Sequence, residues 1–292
     1  MATTLTYSPP YLPQDILDLI VNELGSSTDG YDRVSRSTLT SCALVSKSMS
    51  AHARGHLFST ISLCWDPITS TAKARRTRIR ALKRIMEADP LFVSFVHTLE
   101  LALNDVLRGA DDPGGLPGVL TMLYSTPRSG LCSLRIIMPC APVFPRHVWP
   151  DIKGAGRKAF VNLCLSGCLA ELVIHGPVRD SILLLAKIPK GLVSMELSNL
   201  SYLPIAPESG MGLDVGDGAG AKLEKLVVDD VSATALFANL EAGPALRTRI
   251  LAMMQGLKTL ELEGVRAWTA VRHFAFAPVL QQCKGSLQRL VW

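Results

Sequence analysis

The stretch Leu169-Ala170-Glu171-Leu172-Val173-Ile174 contains the pattern that decides the fold of this 292-residue chain. An apolar residue is followed by two variable residues, a leucine, one more variable residue and a second apolar residue. Alternation of apolar and variable side chains with a period of two is typical of a strand that buries one face. The same pattern, or a close equivalent, occupies residues 96–101, 131–136, 192–197, 223–228, 257–262 and 287–292.

The seven copies predict one repeating array. Their central anchors are Leu99, Leu134, Leu172, Met195, Leu226, Leu260 and Leu290, which are 35, 38, 23, 31, 34 and 30 residues apart. Helical patterns lie between the strands at 156–165, 178–188, 233–240 and 244–254. This alternation predicts an α/β domain over 64–292, an irregular leucine-rich-repeat-like solenoid with a curved parallel sheet and helices on its convex side. We expect loops at 104–117, 139–150 and 204–220.

The strand positions that alternate with the anchors should point away from the core and line the concave face of the array. Besides serine and threonine, these positions hold Glu100, Arg135, Glu171, Glu196, Lys225 and Glu261. We predict that these six residues bind a partner protein, because the concave face is the usual binding surface of a solenoid. Acidic residues outnumber basic ones in this set, which favours a basic or polar partner segment.

Residues 12–63 show helical periodicity before the array begins. Pro13 suits the first turn of a helix, Ile16, Leu17, Ile20 and Leu24 follow at helical spacing, and Gly25 supplies a stop. Two further helical patterns are predicted at 37–49 and 51–58, and 59–63 alternates like the start of a strand. The apolar stripe of the second helix consists of Leu39, Cys42, Val45 and Met49. Helices this short cannot bury all their apolar faces against one another, so another surface must cover the remainder.

Three motifs within 12–63 carry a family resemblance. They are Leu12-Pro13-x-Asp15-Ile16-Leu17, then Cys42-Ala43-Leu44-Val45-Ser46-Lys47-Ser48, then Ala53-Arg54-x-x-Leu57-Phe58. In this order the stretch resembles an F-box, of the kind found in fungal proteins with a leucine-rich-repeat-like tail.

The resemblance implies that the helices dock the Skp adaptor of a cullin–RING ubiquitin ligase, while the repeats hold an unknown target protein. The implied adaptor-binding residues are Leu12, Pro13, Ile16, Leu17, Ile20, Leu39, Cys42, Val45 and Met49. A repeat scaffold that binds a partner without any ligase, with the helices serving as an N-terminal cap, stays open as an alternative.

Composition limits the class of protein. With 48% hydrophobic and 19% charged residues, global disorder is excluded. Residues 1–11 read as a flexible tail without the features of a signal peptide, and no apolar run is long enough to span a bilayer. Seven scattered cysteines without a CxxC pair favour free thiols in a reducing compartment. We therefore expect a soluble protein of the cytoplasm or nucleus, with no membrane partner.

A basic helix is predicted at 71–86. Its apolar residues Ile79, Leu82, Ile85 and Met86 share one face, lysine and arginine crowd the others, and Pro90 follows its end. A nucleic-acid site is one interpretation. No aromatic residues are interleaved and no known DNA-binding module is present, so the sequence favours a solvated helix face without nucleic acid.

Motifs for catalysis, metal or cofactor binding are weak. The glycines of 216–220 precede a predicted strand instead of a helix, which argues against a phosphate-binding loop. His52 and His56 lie one turn apart without a third ligand, and Cys164 and Cys168 lack a matching pair. We expect no catalytic residue, no metal and no cofactor. The last copy, 287–292, ends without a polar cap, which fits a truncated array, a partner that covers the edge or a loop that folds over it. The resemblance favours truncation, and we expect the chain alone to self-associate through this end or to be poorly soluble.

Overall fold

The computed structural model describes residues 12–26, 33–64, 71–102, 115–137, 154–176, 191–199, 222–233, 236, 244–263 and 270–291. The chain divides into two compact units, Met1–Thr60 and Ile61–Trp292. The division falls three residues before the predicted end of the helical stretch. The reason is that the strand-like residues there belong to the sheet.

The first unit contains three helices, α1 (Gln14–Ser26), α2 (Arg33–Val45) and α3 (Lys47–Leu57). Its core consists of buried Val21, Leu39 and Ala53, against which Leu24, Cys42, Ala43, Met49 and Leu57 pack. Each helix therefore contributes one fully buried side chain. A core of this size leaves several apolar residues of α1 and α2 exposed, namely Ile16, Leu19, Ile20, Val34, Leu44 and Val45.

The prediction of one continuous helix over 37–49 was wrong. Ser46 has extended backbone angles, φ −150° and ψ 161°, which end α2 and begin α3. Its hydroxyl accepts a hydrogen bond from the backbone N–H of Met49 at 3.2 Å, which is the usual role of an N-cap serine. Met49 consequently lies on α3, and α3 begins four residues before the predicted start at Ala51.

The second unit is built on one open, all-parallel sheet of eight strands. The strands are β1 (Thr60–Leu63), β2 (Thr98–Ala102), β3 (Ser133–Ile137), β4 (Glu171–His175), β5 (Ser194–Ser198), β6 (Lys225–Asp229), β7 (Thr259–Glu263) and β8 (Arg289–Val291). They lie side by side in chain order. The predicted α/β class with a parallel sheet is confirmed.

The register of the sheet aligns the predicted anchors. Leu99 pairs with Leu134, Leu134 with Leu172, and the series continues through Met195, Leu226, Leu260 and Leu290. The anchors of β2 to β7 are buried, whereas Leu290 on β8 is 46% exposed. Among the described strands β8 has a neighbour on one side only, so its anchor lacks half of the cover that the others have.

One hydrogen-bond motif repeats at the entry of successive strands. The carbonyl of Cys132 accepts from the backbone N–H groups of both Ala170 and Glu171, at 2.8 and 2.9 Å. The equivalent carbonyls that accept two consecutive N–H groups of the next repeat are those of His97, Ala170, Val193, Glu224 and Lys258. The repeats are therefore equivalent in backbone geometry as well as in sequence, although the anchor spacing varies.

Helices occur between the strands. They are α4 (Ala72–Ala88), α5 (Phe92–Phe95), α6 (Leu116–Ser125), α7 (Gly154–Leu165), α8 (Pro244–Met254) and α9 (Ala270–Cys283). Packing neighbours are α4 with α6, α6 with α7, and α8 with α9. Right-handed crossovers between parallel strands in chain order place the connections on one face of a sheet, which accounts for this contact order.

Three of these helices, the four-residue α5, α6 and α9, were missed by the sequence analysis. α6 begins inside the predicted loop at 104–117, and its buried Leu116, Val119, Leu120 and Leu123 have helical spacing. α9 has Pro278 in its interior, which hides its helical character. The predictions for 1–11, 139–150, 178–188, 204–220 and Trp292 lie outside the described residues, and of 233–240 only Ala233 and Leu236 are described. No helix in the described ranges is long and apolar enough to cross a membrane.

Candidate functional site

Helices α1 and α3 run parallel and are joined by three polar contacts with a constant offset of 34 residues. Ser48 Oγ donates to Gln14 Oε1 at 3.0 Å. His52 Nδ1 lies 3.2 Å from Asp18 Oδ1, and His56 Nε2 lies 2.9 Å from Asn22 Oδ1. Successive contacts are four residues apart on both helices, which is about 6 Å along each axis. The start of α3 is therefore fixed beside the start of α1.

This arrangement brings exposed apolar residues to one end of the helical unit. Leu12 and Pro13 precede Gln14, and Leu44 and Val45 end α2 just before the turn into α3 at Ser46. Leu12 is 52%, Leu44 84% and Val45 71% exposed. With Ile16, one turn along α1 from Leu12, these residues form what we call the apolar patch. Polar residues flank it, including Gln14, Asp15 and Lys47.

The residues expected to bind the adaptor fall into three groups. Exposed ones are Leu12, Pro13, Ile16, Ile20 and Val45, and partly buried ones are Leu17, Cys42 and Met49. Leu39 is only 5% exposed and belongs to the core, so including it in a docking surface was an error. Val45 was placed on the same stripe as Leu39, but the two side chains lie on different faces of α2.

Leu19, Val34 and Leu44 are exposed apolar residues that the predicted surface omitted. On α1 a signal was present in the sequence. Ile16, Leu19 and Ile20 cluster on a helical arc distinct from that of Leu17, Val21 and Leu24. The apolar arc of α1 is thus wider than one packing partner can cover.

A second candidate surface is the sheet face that carries the alternate strand residues, which we call the polar face. Its central positions are Glu100, Arg135, Val173, Glu196, Val227, Glu261 and Val291, aligned across the strands by the register. All six residues predicted to bind a partner alternate with the anchors and so lie on this face. Val173 and Val227 are nevertheless buried among their longer neighbours.

Cross-strand contacts fix many charged side chains of the polar face. Arg135 Nη1 lies 3.8 Å from Glu100 Oε1, and Lys225 Nζ lies 3.5 Å from Glu261 Oε2. Ser133 is itself buried and donates from Oγ to Glu171 Oε2 at 2.6 Å. These contacts hold the carboxylates in place on a surface whose six acidic side chains exceed its three basic ones.

A hydrogen-bonded group crosses from β4 to β5 near their carboxyl ends. Ser198 Oγ lies 2.5 Å from His175 Nδ1, and His175 Nε2 lies 3.2 Å from Glu196 Oε1. Beyond it, Asp229 Oδ2 accepts from the backbone N–H of Asn199 at 2.7 Å, where Asn199 has a positive φ of 56°. His175 and Glu196 are both substantially exposed, so this group belongs to an open surface.

The residues that the structure describes offer little support for catalysis by a thiol or for binding of a metal ion. The cysteines described there, at 42, 64, 132, 164, 168 and 283, are free thiols. Burial raises the pKa of the Cys164 thiol to about 12, which makes it a poor nucleophile at neutral pH. No group of three or more histidine, cysteine or acidic side chains placed to hold a metal ion occurs in the same ranges. His52 and His56 instead contact α1.

No protein-family model, no curated protein and no solved structure matches this chain.

Proposed function

We propose that this chain is the substrate-recognition subunit of an SCF-type cullin–RING ubiquitin ligase. The helical unit docks the Skp adaptor, and the polar face of the sheet holds a target protein. The chain supplies no reacting group of its own. It holds the target close to a conjugating enzyme carried by other subunits, so that the gain in rate comes from proximity.

The observation that carries the proposal is the apolar patch on the helical unit. Burial of a large aliphatic side chain stabilises by about 1.5–3 kcal/mol, so leaving Leu12, Ile16, Leu44 and Val45 in water forgoes a large part of the unit's potential stability. Apolar surface rimmed by polar residues marks protein-binding sites. A partner that covers this patch accounts for residues that the three-helix core does not use.

The polar face supports the second half of the proposal. Its carboxylates are held by neighbours on adjacent strands, as in the Glu100–Arg135 and Glu261–Lys225 pairs. Ordered side chains lose little entropy when a partner binds. The acidic excess makes this surface complementary to a target segment that contains lysine or arginine.

Adaptor capture by the purified chain tests the proposal. We expect an immobilised Skp-type adaptor to retain the wild-type chain and to lose a variant with Leu12→Ala, Pro13→Ala, Leu44→Ala and Val45→Ala. Loss of a central aliphatic anchor typically costs about 2 kcal/mol or more, which weakens binding at least about 30-fold. Because all four side chains are exposed, the variant should keep its helical circular-dichroism signal.

A matched control comes from the sheet unit. Leu91 and Val193 are also exposed apolar residues but lie outside the apolar patch. The Leu91→Ala, Val193→Ala variant should bind the adaptor as the wild type does. Failure of the wild-type chain to bind, or equal binding by the fourfold variant, would refute adaptor docking by this patch.

A further inference from the structure

Helix α4 concentrates the basic charge of the whole chain. Its sequence, AKARRTRIRALKRIMEA, holds seven lysine or arginine residues and one glutamate, a net charge of +6. The complete chain has a net charge of +5, so everything outside this helix sums to −1. The basic character of the protein is therefore a property of one helix in the sheet unit.

The packing of α4 divides its surface into two sides. Ile79 and Met86 are buried, and α4 packs against α6. On one flank of this buried side Lys73, Arg76, Arg80 and Arg84 are exposed and recur every three or four residues. At about 1.5 Å per residue these four cations form a straight line about 16 Å long, which we call the basic stripe.

The charges of α4 oppose helix stability. No acidic residue lies in its first turn, where the helix dipole favours one, and no basic residue lies in its last turn. Arg76 with Arg80 and Arg80 with Arg84 are like-charge pairs at a spacing of four, which destabilises a helix. The described part of the chain offers an ion pair to Lys83, from Glu87 at 3.4 Å, but none to Lys73, Arg76 or Arg84.

Other features hold the helix in place despite these charges. The Thr71 hydroxyl caps the first turn by accepting from the N–H of Ala74 at 3.2 Å, and Ile79 and Met86 anchor the helix to the core. A local sequence choice that opposes the stability of its own helix is typical of a functional surface.

We propose that the basic stripe binds the phosphate backbone of nucleic acid without selecting a base sequence. Arginine guanidinium groups form bidentate hydrogen bonds with phosphate oxygens, and three of the four stripe residues are arginine. Neighbouring arginines are about 6 Å apart along the helix, a spacing close to that of successive phosphates on one strand. This differs from the expectation drawn from the sequence, which favoured a purely solvated face.

The composition of the stripe favours nucleic acid over an acidic protein segment. Protein interfaces centre on apolar or aromatic anchors and exclude charge from their cores. Interfaces with nucleic acid are polar and strongly positive. Ile85 is the exposed large apolar residue of α4, and it projects from a different side of the helix than Arg80 and Arg84.

Binding of a fluorescent mixed-sequence oligonucleotide, followed by anisotropy with the full chain, tests the proposal. With a duplex oligonucleotide, four neutralised phosphates predict a slope of log affinity against log salt of about −3.6. Affinity should accordingly fall about 100-fold between about 50 mM and about 200 mM salt. The Arg76→Gln, Arg80→Gln, Arg84→Gln variant should lower the slope to about −1 and lose most of the affinity at low salt.

The charge-matched control is Lys158→Gln, Lys222→Gln, Lys284→Gln, which removes three exposed cations elsewhere in the same unit and outside the polar face. It should keep the wild-type affinity and slope. Equal losses in both variants would attribute binding to net charge alone and overturn the assignment to the stripe. Competition by oligoglutamate as effective as by unlabelled oligonucleotide would also overturn it, in favour of an acidic protein segment.

Thermal unfolding separates folding failure from loss of binding. Ile79 and Met86, which anchor α4 to the core, are unchanged in the variant, so it should unfold cooperatively at a melting temperature close to that of the wild type. If the variant is fully folded and no longer binds the oligonucleotide, the result supports binding by the basic stripe. Adaptor capture by the same variant should be unchanged, so this proposal and the ligase proposal succeed or fail separately.

Discussion

Asn22 on α1 and His56 on α3 lie 2.9 Å apart through Oδ1 and Nε2, although 34 residues separate them in the chain. Gly25 stands one turn further along α1, and a methyl group there would collide with the imidazole ring of His56. The ring therefore occupies a slot that exists because residue 25 has no side chain. Two predictions concern this contact.

The first prediction is a loss of stability of the helical unit in mild acid. Burial, and secondarily repulsion from His52, lower the pKa of His56 from its usual 6.5. The unfolded chain therefore takes up a proton at a higher pH than the folded chain does. The free energy of unfolding should be constant well above pH 6.5. It should fall as the pH drops through about 6.5 towards the lowered pKa of His56.

Melting curves of the wild type and of His56→Gln across that pH range measure the effect. Glutamine can still donate to Asn22 but does not titrate, so the variant should show a smaller decline. Parallel curves for the two proteins would contradict a role for His56 in acid sensitivity.

The second prediction is that the effect of Gly25→Ala on stability depends on His56. In a helix, alanine is more stabilising than glycine by up to about 1 kcal/mol. In the wild type the new methyl group must displace the imidazole ring, which cancels this gain. In a His56→Ala background the slot is empty, so Gly25→Ala should stabilise.

Denaturant unfolding of the wild type, the two single variants Gly25→Ala and His56→Ala, and the double variant gives the coupling energy directly. We expect a coupling energy of about 0.5 kcal/mol or more. Additive effects within error would show that the ring does not occupy the slot in solution.

The third prediction contrasts two leucines on α2. Leu39 is buried in the three-helix core, and Leu44 is the most exposed residue of the apolar patch. Leu39→Ala should cost about 2–5 kcal/mol of stability, whereas Leu44→Ala should change it by no more than about 0.5 kcal/mol. Adaptor capture should show the reverse pattern when it is measured on folded protein. Similar unfolding midpoints for the two variants would contradict the observed burial.

The fourth prediction compares equivalent anchors of the sheet. Leu172 on β4 is buried between neighbours on both sides, and Leu290 on β8 is nearly half exposed. Leu172→Ala should cost about 2–5 kcal/mol, and Leu290→Ala about 1 kcal/mol or less. Equilibrium unfolding in urea measures both. A large loss at Leu290 would show that the outer edge of β8 is covered in solution.

The fifth prediction concerns thiol reactivity. With its pKa raised to about 12 by burial, Cys164 should resist alkylation by N-ethylmaleimide in the native protein at neutral pH. The partly exposed thiols of Cys42, Cys132 and Cys168 should react before it. Mass spectrometry of timed samples resolves the order, and Cys164 should become reactive only under unfolding conditions. Early modification of Cys164 would show that the helix that carries it opens readily.

The strand anchors were predictable because a period of two survives in any strand that buries one face. Leu99, Leu134 and Leu172 could be aligned from the sequence, and the sheet pairs these residues with one another. Helix α6 was missed because glycine and proline directly before Val119 resemble a loop. Pro117 actually suits the first turn of that helix, so the same residue fits both interpretations.

The apolar patch was only partly predictable. Helical spacing identifies the apolar residues of α2, but it does not say which arc faces the core. Leu39 and Val45 were therefore given one role although they lie on different faces. The deciding information is the contact of Ser48 with Gln14, which aligns α3 with α1 over a separation of 34 residues. No local pattern contains such a contact.

The paired acceptance of two N–H groups by one carbonyl, as at Cys132 with Ala170 and Glu171, has an evolutionary consequence. This shared carbonyl fixes the register of each strand against the previous one, whatever the length of the connection between them. Connections as different as 23 and 38 residues between anchors therefore lead to the same alignment. Insertions and deletions within a connection can be inherited without disturbing the neighbouring strands. Differences in length and sequence among relatives should therefore be concentrated in the connections, while the residues around these shared carbonyls change little.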